Sequence, residues 1–317
     1  SAVTSNLPQR DAFWTRVYEI AKNDRDVIII SADMGAPALD VIRRDLPGQF
    51  INMGIAEQNA VVVGSGLAMA GMKVFAYAIA PFITLRCLEQ VRVHNCMMKT
   101  PLTLVGVGAG FGYQDSGPTH HMLEDIAVLR AIPTIEIDSV SDSVMAAQVA
   151  ERSILERRIN YVRLDRQTLP DLYKPGHDFK PGLHVLKPGK DMMLVGTGIM
   201  THAALEAAEA LVKQGIDAGV IDLYRLPVNA PALLAALKGA KKVATLEEHF
   251  LAGGLGSAVA EVLADAGVAL PLKRLGLPNE KGYCYTYGGR DALHRHYGIG
   301  SEQIMAALEA FASVKGS

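Results

Sequence analysis

Continuous apolar runs alternate with helical patterns along most of the chain. Four runs lack the polar alternation of a half-exposed strand, which is typical of strands covered on both faces; they are Val27–Ile30, Leu102–Val107, Met192–Val195 and Val243–Leu246. Amphipathic helices are predicted between them, for example at Ser143–Arg157 and Thr201–Gln214. This alternation predicts an α/β protein with parallel sheets between layers of helices.

The middle of the chain predicts a boundary between two domains. Lys-Pro-Gly occurs three times between residues 174 and 189, in a stretch without a helical or strand period. Proline fixes φ and glycine allows turns, so we expect an ordered but irregular connector there. The predicted domains are residues 1–165 and 190–317, joined by a linker over 166–189.

Composition and charge exclude several classes of protein. The 317 residues suit about two domains of roughly 150 residues each. With 31 basic and 33 acidic residues the formal charge is −2, so no strong attraction to nucleic acid or an anionic membrane is expected. Three cysteines without a CxxC pair indicate free thiols in a reducing cytoplasm. We find no secretory signal in the first ten residues and no apolar stretch of membrane-spanning length, so a cytoplasmic protein is predicted.

Two acidic residues are the first candidates for chemistry. Asp33 directly follows the strand at Val27–Ile30, at the strand end where ligands bind in open α/β sheets. The alternative is an ordinary cap or turn aspartate. Glu57 opens a glycine-rich apolar helix, Ala60–Gly71. It is either a first-turn acid favoured by the helix dipole or a carboxyl group whose apolar surroundings keep it protonated and able to donate a hydrogen bond.

An aromatic residue and a long loop are the next candidates. Phe82 precedes a predicted helix that carries Arg86, Gln90 and Arg92. Phe82 is either a core residue or a stacking platform, and composition favours the core. The glycine-rich loop Gly110–His121 follows the strand at Leu102–Val107 and is a good candidate for an active-site loop.

Together these segments resemble the pyrimidine-binding domain of transketolase and its thiamine-diphosphate relatives. Gly54–Glu57 is similar to the activating-glutamate motif of that family, Gly117–His120 to its substrate loop, and Ser31–Asp33 matches in order and spacing. Downstream, Leu246–His249 and Gly253–Ser257 resemble the C-terminal domain of the family. The resemblance covers nearly the whole chain and implies two parallel-sheet domains, a pyrimidine-binding domain and a transketolase C-terminal domain.

The resemblance also implies contacts to the cofactor. Thiamine diphosphate reacts through C2 of its thiazolium ring, and the base that activates C2 is the imino form of its own aminopyrimidine. The resemblance gives Glu57 the hydrogen bond to the far pyrimidine nitrogen that this tautomer needs. Phe82 is implied to stack on the pyrimidine. Asp33, Ile79 and Gln90 complete the implied cofactor contacts.

The implied substrate contacts lie in the loop and after a later strand. His120 is the second catalytic candidate and is implied to contact oxygens of the two-carbon unit, with His121 as a weaker neighbour. Arg166 matches an arginine that binds the phosphate end of the sugar bidentately. Ser116 stands where the family usually has an aspartate that recognises a sugar hydroxyl, with Asp115 one place earlier.

The sequence departs from the family pattern in ways that concern both substrate and partner. Gly108 and Pro37 stand near a donor-binding histidine and a phosphate-contacting serine of the family, so an atypical donor or acceptor is expected. The Gly-Asp-Gly motif, which helps to hold magnesium and the diphosphate, does not occur here. The chain therefore resembles the small subunit of a split transketolase, which implies a large subunit that carries Gly-Asp-Gly and holds Mg²⁺. We expect no metal site in this chain, self-association to a dimer, and a heterotetramer of two small and two large chains.

Other functions remain open as alternatives. The β subunit of a 2-oxo acid dehydrogenase E1 component and a deoxyxylulose phosphate synthase-like enzyme share the activating glutamate. The second histidine after Gly-Pro-Thr-His favours sugars. A non-catalytic assembly subunit is a rival of another class, although Glu57, Phe82 and His120 argue against it.

Four further patterns have ordinary structural explanations. Gly108–Gly112 fails the dinucleotide fingerprint because residue 113 is tyrosine. Gly253–Gly256 could bind an anion at a helix start, but tight helix packing is favoured. His121 and Asp125 could ligate a metal but lack a third ligand. His294 and His296 are interpreted as surface residues.

Overall fold

The chain divides into two compact units. The computed structural model describes residues 6–314; residues 1–5, on which the argument about a secretory signal partly rests, and 315–317 lie outside the described residues. The described residues 6–112 and 119–177 form the first unit, and 113–118 with 178–314 form the second. The predicted domain boundaries, between residues 165 and 166 and between residues 189 and 190, are not tested by this division and stay predictions.

The first unit contains six parallel strands. They are β1 (Val27–Ser31), β2 (Phe50–Asn52), β3 (Lys73–Ile79), β4 (Thr103–Val107), β5 (Glu136–Ser139) and β6 (Asn160–Leu164). Within this unit their order is β5-β6-β4-β3-β1-β2. Every residue of β1 and β4 is buried, as the unbroken apolar runs predicted.

Helices pack against the sheet of the first unit. They are α1 (Gln9–Ala21), α2 (Pro37–Asp45), α3 (Glu57–Met69), α4 (Ala80–Ile83), α5 (Leu88–Gln90), α6 (Asp125–Arg130) and α7 (Ser143–Glu156). The prediction for α7 is confirmed: Asp142 Oδ1 accepts from the Met145 backbone N–H at 2.7 Å, and Arg157 ends the helix in the left-handed region with φ 47°.

The prediction of one helix that carries Arg86, Gln90 and Arg92 is wrong. The segment has a 3₁₀ turn at Leu85–Cys87, then α5, then a π-helix at Val91–Met97. π-helical turns are rare and often lie at functional sites.

The second unit contains a mostly parallel five-stranded sheet. The strands of this unit are β7 (Leu183–Lys187), β8 (Met192–Gly196), β9 (Ala218–Leu223), the two-residue β10 (Arg225–Leu226), β11 (Val243–Phe250) and β12 (Leu272–Leu277). The order of the five-stranded sheet is β12-β11-β8-β9-β7, and β7 runs antiparallel to β9. The prediction of an irregular connector over 166–189 is therefore wrong in part, because β7 forms an edge strand within it.

Five helices cover the second unit. They are α8 (Ile199–Lys213), α9 (Ala230–Leu237), α10 (Leu255–Asp265), α11 (Arg290–Tyr297) and α12 (Ser301–Ser313), with a 3₁₀ turn at Asn279–Lys281. The helix predicted at Thr201–Gln214 is confirmed as α8. No helix between residues 6 and 314 is long and apolar enough to span a bilayer.

Candidate functional site

The candidate residues of the first unit follow five adjacent strands at one edge of the sheet. Parallel strands β6, β4, β3, β1 and β2 are neighbours, so their carboxyl ends share that edge. The residues come after these strands in turn: Arg166 after β6, His120 after β4, Phe82 after β3, Asp33 after β1 and Glu57 after β2. This edge is where open α/β sheets bind ligands.

A carboxyl group, a guanidinium group and an aromatic ring form the centre of the site. Glu57 is the first residue of α3, and its side chain is 5% exposed. Arg86 Nη1 lies 2.9 Å from Glu57 Oε2. The guanidinium carbon of Arg86 lies 4.2 Å from the ring centroid of Phe82, a cation–π distance. The sequence predicted apolar surroundings for Glu57. In the structure these surroundings also include a cation, the guanidinium group of Arg86.

Two hydrogen bonds fix the backbone of the turn that carries Arg86. Gln58 Nε2 donates to the Arg86 carbonyl oxygen at 3.0 Å, and Cys87 Sγ donates to the Phe82 carbonyl oxygen at 3.2 Å. Burial, and secondarily the charge of Glu57, raises the pKa of the Cys87 thiol to about 12. Cys87 is thus a protonated thiol at neutral pH, and it serves the turn as a hydrogen-bond donor.

His120 joins the cluster and His121 does not. The His120 ring lies edge-on to Phe82, with centroids 5.1 Å apart, and Thr119 Oγ1 lies 3.0 Å from its Nδ1. Burial, together with the positive charge of Arg86, lowers the pKa of His120, which favours the neutral imidazole. His121 is 4% exposed and packs edge-to-face on Phe111 at 5.0 Å.

Asp33 is held to the segment that leads to Glu57. Asp33 is exposed, in the left-handed region with φ 57°, and its backbone N–H donates to Asn52 Oδ1 at 3.1 Å. Asn52 Nδ2 donates back to Asp33 Oδ1 at 3.2 Å, and Asn52 Oδ1 also accepts from the Gly54 N–H at 2.9 Å. Asn52 thereby ties the ends of β1 and β2 together, a role that the sequence reading missed.

Ile79 and Gln90 lie on either side of the Arg86 turn in sequence. Ile79 ends β3 and is 9% exposed. Gln90 lies in α5, which packs on α3. The Gln90 Oε1 atom is buried and has no hydrogen-bond partner within residues 6–314. A buried amide oxygen without a donor is costly, which makes Gln90 a candidate for an additional hydrogen bond.

The remaining substrate candidates differ in their placement. Arg166 is exposed after β6, next to Asp165, whose N–H donates to Gln9 Oε1 at 2.9 Å and whose Oδ1 accepts from the Gln167 N–H at 2.8 Å. Ser116 is exposed and belongs to the second unit, so the first unit does not bring it together with His120.

Asp125 serves a buried ion pair. It accepts from Arg163 Nε at 2.7 Å and from the Tyr161 hydroxyl at 2.8 Å. Burial, then the charge of Asp125, raises the pKa of Tyr161 well above its usual range. Across the described residues no group of three His, Cys, Asp or Glu side chains could hold a metal ion.

The helix start in the second unit is closed by an internal carboxylate. Glu247 accepts from the backbone N–H of Leu255 at 2.6 Å and from that of Gly256 at 2.9 Å, at the start of α10. A methyl group on Gly254 would collide with this carboxylate. Tight packing, the favoured interpretation of Gly253–Gly256, is therefore what the structure shows.

The interpretation of His294 as a surface residue is wrong. His294 pairs with Glu248, which also pairs with Arg290 Nη2 at 2.7 Å. Burial opposes ionisation of Glu248, but Arg290 and His294 outweigh it and hold the pKa of Glu248 well below its usual range. His296 is exposed, as interpreted.

Two families match the two parts of the chain. Residues 6–171 match the family described as "Transketolase, pyrimidine binding domain". Residues 182–304 match "Transketolase, C-terminal domain".

Relatives of the chain carry related descriptions. A subunit of the apulose-4-phosphate transketolase of Phocaeicola vulgatus is 34% identical over 95% of this chain and 96% of its own length. 1-Deoxy-D-xylulose-5-phosphate synthase of Crocosphaera subtropica is 34% identical over 88% of this chain and 45% of its own length. A solved structure described as a split gene transketolase, inactive beta4 tetramer, is 31% identical, with a TM-score of 0.85 over 98% of this chain and 99% of its own.

Proposed function

The chain belongs to the transketolase family, and we propose that it is the small, pyrimidine-domain subunit of a two-chain transketolase that depends on thiamine diphosphate. In this proposal the assembled enzyme, a transferase, moves a two-carbon ketol unit between sugars or sugar phosphates. The observation that carries the proposal is the position of the Arg86 guanidinium between the Glu57 carboxylate and the Phe82 ring. The guanidinium is flat and carries N–H groups, as an aminopyrimidine does.

The residues around Glu57 fit an aminopyrimidine. The guanidinium of Arg86 is planar and carries N–H groups, and the pocket accepts it with an aromatic face and a buried carboxylate. Gln90, which has a buried oxygen without a donor, and Ile79, which is apolar and buried, are proposed as further cofactor contacts. When bound, thiamine diphosphate supplies a nucleophilic carbon at C2 of its thiazolium ring.

The residues of this chain then bind, orient and protonate. Glu57 holds a proton in a hydrogen bond to the far pyrimidine nitrogen, and Phe82 sets the angle of the ring by stacking. Asp33, held by Asn52, borders the cofactor. His120, whose lowered pKa favours the neutral ring, donates to or accepts from oxygens of the two-carbon unit.

Arg166 and Ser116 are proposed for the rest of the substrate. Arg166 is exposed and binds the phosphate end of a sugar phosphate, for which a guanidinium fork is well suited. Ser116 contacts a sugar hydroxyl, and His121 stays a minor candidate because of its burial. A relative named for a sugar phosphate supports phosphorylated substrates.

The cofactor's other half is assigned to a partner chain. The sequence has no Gly-Asp-Gly, so a large subunit is proposed to hold Mg²⁺ and the diphosphate. Two small and two large chains form the proposed heterotetramer, and the small chain alone self-associates to a dimer. The description of a similar structure as an inactive beta4 tetramer supports self-association without activity. Three buried free cysteines support a cytoplasmic location.

Reconstitution tests the function. The chain is captured from its source lysate and analysed by native mass spectrometry with thiamine diphosphate and Mg²⁺. The proposal is supported if the chain forms a complex with a partner that carries Gly-Asp-Gly. This complex must retain cofactor and catalyse ketol transfer. A homodimer that binds neither partner nor cofactor contradicts it and favours an assembly role.

A second candidate is a deoxyxylulose phosphate synthase-like enzyme, which the relative from Crocosphaera subtropica favours. Release of carbon dioxide separates the candidates. Transfer without decarboxylation supports the transketolase, whereas stoichiometric carbon dioxide from a 2-oxo acid supports the synthase or a 2-oxo acid dehydrogenase component.

A further inference from the structure

The guanidinium group of Arg86 occupies the place that the proposed function gives to the pyrimidine ring. It stacks on Phe82 and pairs with Glu57, which are the two contacts assigned to the cofactor. We propose that Arg86 is an internal occupant of this pocket, which competes with the pyrimidine and moves out when the cofactor binds. This inference rests on the proposed function.

The guanidinium group of Arg86 uses contacts that a flat cofactor group would need. The Glu57 side chain is 5% exposed, so its carboxyl group offers little surface beyond the oxygen that Arg86 uses. At 4.2 Å from the ring centroid, the guanidinium carbon covers a face of Phe82 at contact distance. A second flat group that uses the same face of Phe82 and the same oxygen of Glu57 would overlap with the guanidinium.

The occupant can leave when the cofactor takes over its contact with Glu57. The Arg86 side chain is 44% exposed, and ion pairs at the solvent boundary contribute little to stability. Gln58 holds the backbone carbonyl of Arg86, not its guanidinium group. The side chain can therefore swing into solvent about a fixed backbone.

The arrangement also protects the pocket before the cofactor arrives. A carboxylate as buried as that of Glu57 is costly to leave without a counter-charge. Arg86 supplies that charge in the separate small chain. The same contact reduces the affinity of this chain for the pyrimidine, because every binding event must first break the Glu57–Arg86 pair.

The test measures binding of the pyrimidine half of the cofactor to the full-length chain. 4-Amino-5-hydroxymethyl-2-methylpyrimidine is titrated by calorimetry into wild type, Arg86→Met and Arg92→Met. Arg92 is a matched control, because it lies on the same segment and pairs with the exposed Glu89 at 3.0 Å. The imidazole NMR signal of His120, whose ring lies 5.1 Å from that of Phe82, reports whether the probe enters this pocket.

We expect Arg86→Met to bind the probe about 3- to 10-fold more tightly than wild type, the range of one exposed ion pair with its stacking contact. Arg92→Met is expected to equal wild type, and Glu57→Gln in the Arg86→Met background is expected to lose the gain. Melting curves verify that each variant is folded. If Arg86→Met is unfolded, Arg86→Lys replaces it, because lysine keeps the charge without the planar fork, and a smaller gain is expected.

The possible failures are distinguishable. Equal or weaker binding by the folded Arg86 variant overturns the competition and leaves the proposed function intact. Absence of binding by every folded variant, with an unchanged His120 signal, overturns the pyrimidine pocket itself and with it the proposed function.

Discussion

Replacing Glu57 with glutamine is expected to leave the fold nearly unchanged and to remove most of the activity of the assembled enzyme. The substitution removes the buried charge and leaves Arg86, which is 44% exposed and can be solvated, so loss of the Glu57–Arg86 pair costs less than about 1 kcal/mol. Glutamine also keeps an oxygen to which Arg86 can donate. In the proposed mechanism the pyrimidine nitrogen requires a proton that an amide cannot supply, and loss of such a group lowers the rate by about 10²- to 10⁴-fold. That corresponds to about 3 to 5 kcal/mol of transition-state stabilisation.

The assay compares turnover of ketol transfer at saturating thiamine diphosphate and Mg²⁺ with the melting temperature of the separate chain. Glu89→Gln is the control, because Glu89 is an exposed carboxylate on α5 that pairs with Arg92. A Glu57→Gln enzyme with turnover within threefold of wild type would refute the assigned role. A Glu57→Gln chain that fails to fold would show that the carboxylate is structural.

Other substitutions test the remaining features. Phe82→Leu is expected to weaken cofactor binding by the assembled enzyme about 3- to 10-fold by calorimetry, because stacking is lost. Arg86→Met is expected to raise the pKa of His120 in an NMR titration, since burial remains but a neighbouring positive charge is gone. The folded-state pKa of His120 lies below its unfolded value, so its contribution to stability is present above about pH 6.5 and is lost as pH falls; this loss is smaller in the variant. Gly254→Ala is expected to destabilise the second unit by about 1 to 3 kcal/mol in denaturant unfolding, because the methyl group meets the capping carboxylate. Gly66→Ala, where the added methyl group meets open space on α3, is expected to stabilise by about 0.5 to 1 kcal/mol, and a loss of stability there would count against the assigned helix.

The strands that the sequence predicts best are those with the simplest surroundings. β1 and β4 are covered on both faces, so an unbroken apolar run predicts their burial directly. β7 was missed because an edge strand is largely half-exposed and its residues form no such run. β11 extends to Phe250, beyond the predicted end, through acidic residues that are buried there. Their partners lie in α10 and α11, and sequence periodicity does not report such distant pairs.

The residues of the candidate site also differ in how far the sequence predicts them. Glu57, Phe82 and His120 were found through a motif and its spacing, which are local properties of the sequence. Arg86, which pairs with Glu57, lies in a 3₁₀ turn whose geometry a helical period does not predict. The link from Asp33 to Asn52 likewise forms only when β1 and β2 lie side by side.

The carboxylate of Glu247 at the start of α10 has a consequence for how new substrates could evolve. In many α/β proteins an open helix start is a ready place for a phosphate group. Here a side chain of the same unit already takes up those backbone N–H groups, at 2.6 and 2.9 Å. Under the proposed function, mutations that adapt the site to a different phosphorylated sugar would find no free backbone N–H group at Leu255 or Gly256. Changes of specificity are therefore expected in the loops that follow the first sheet and in the segment that carries Ser116, while the start of α10 stays unchanged.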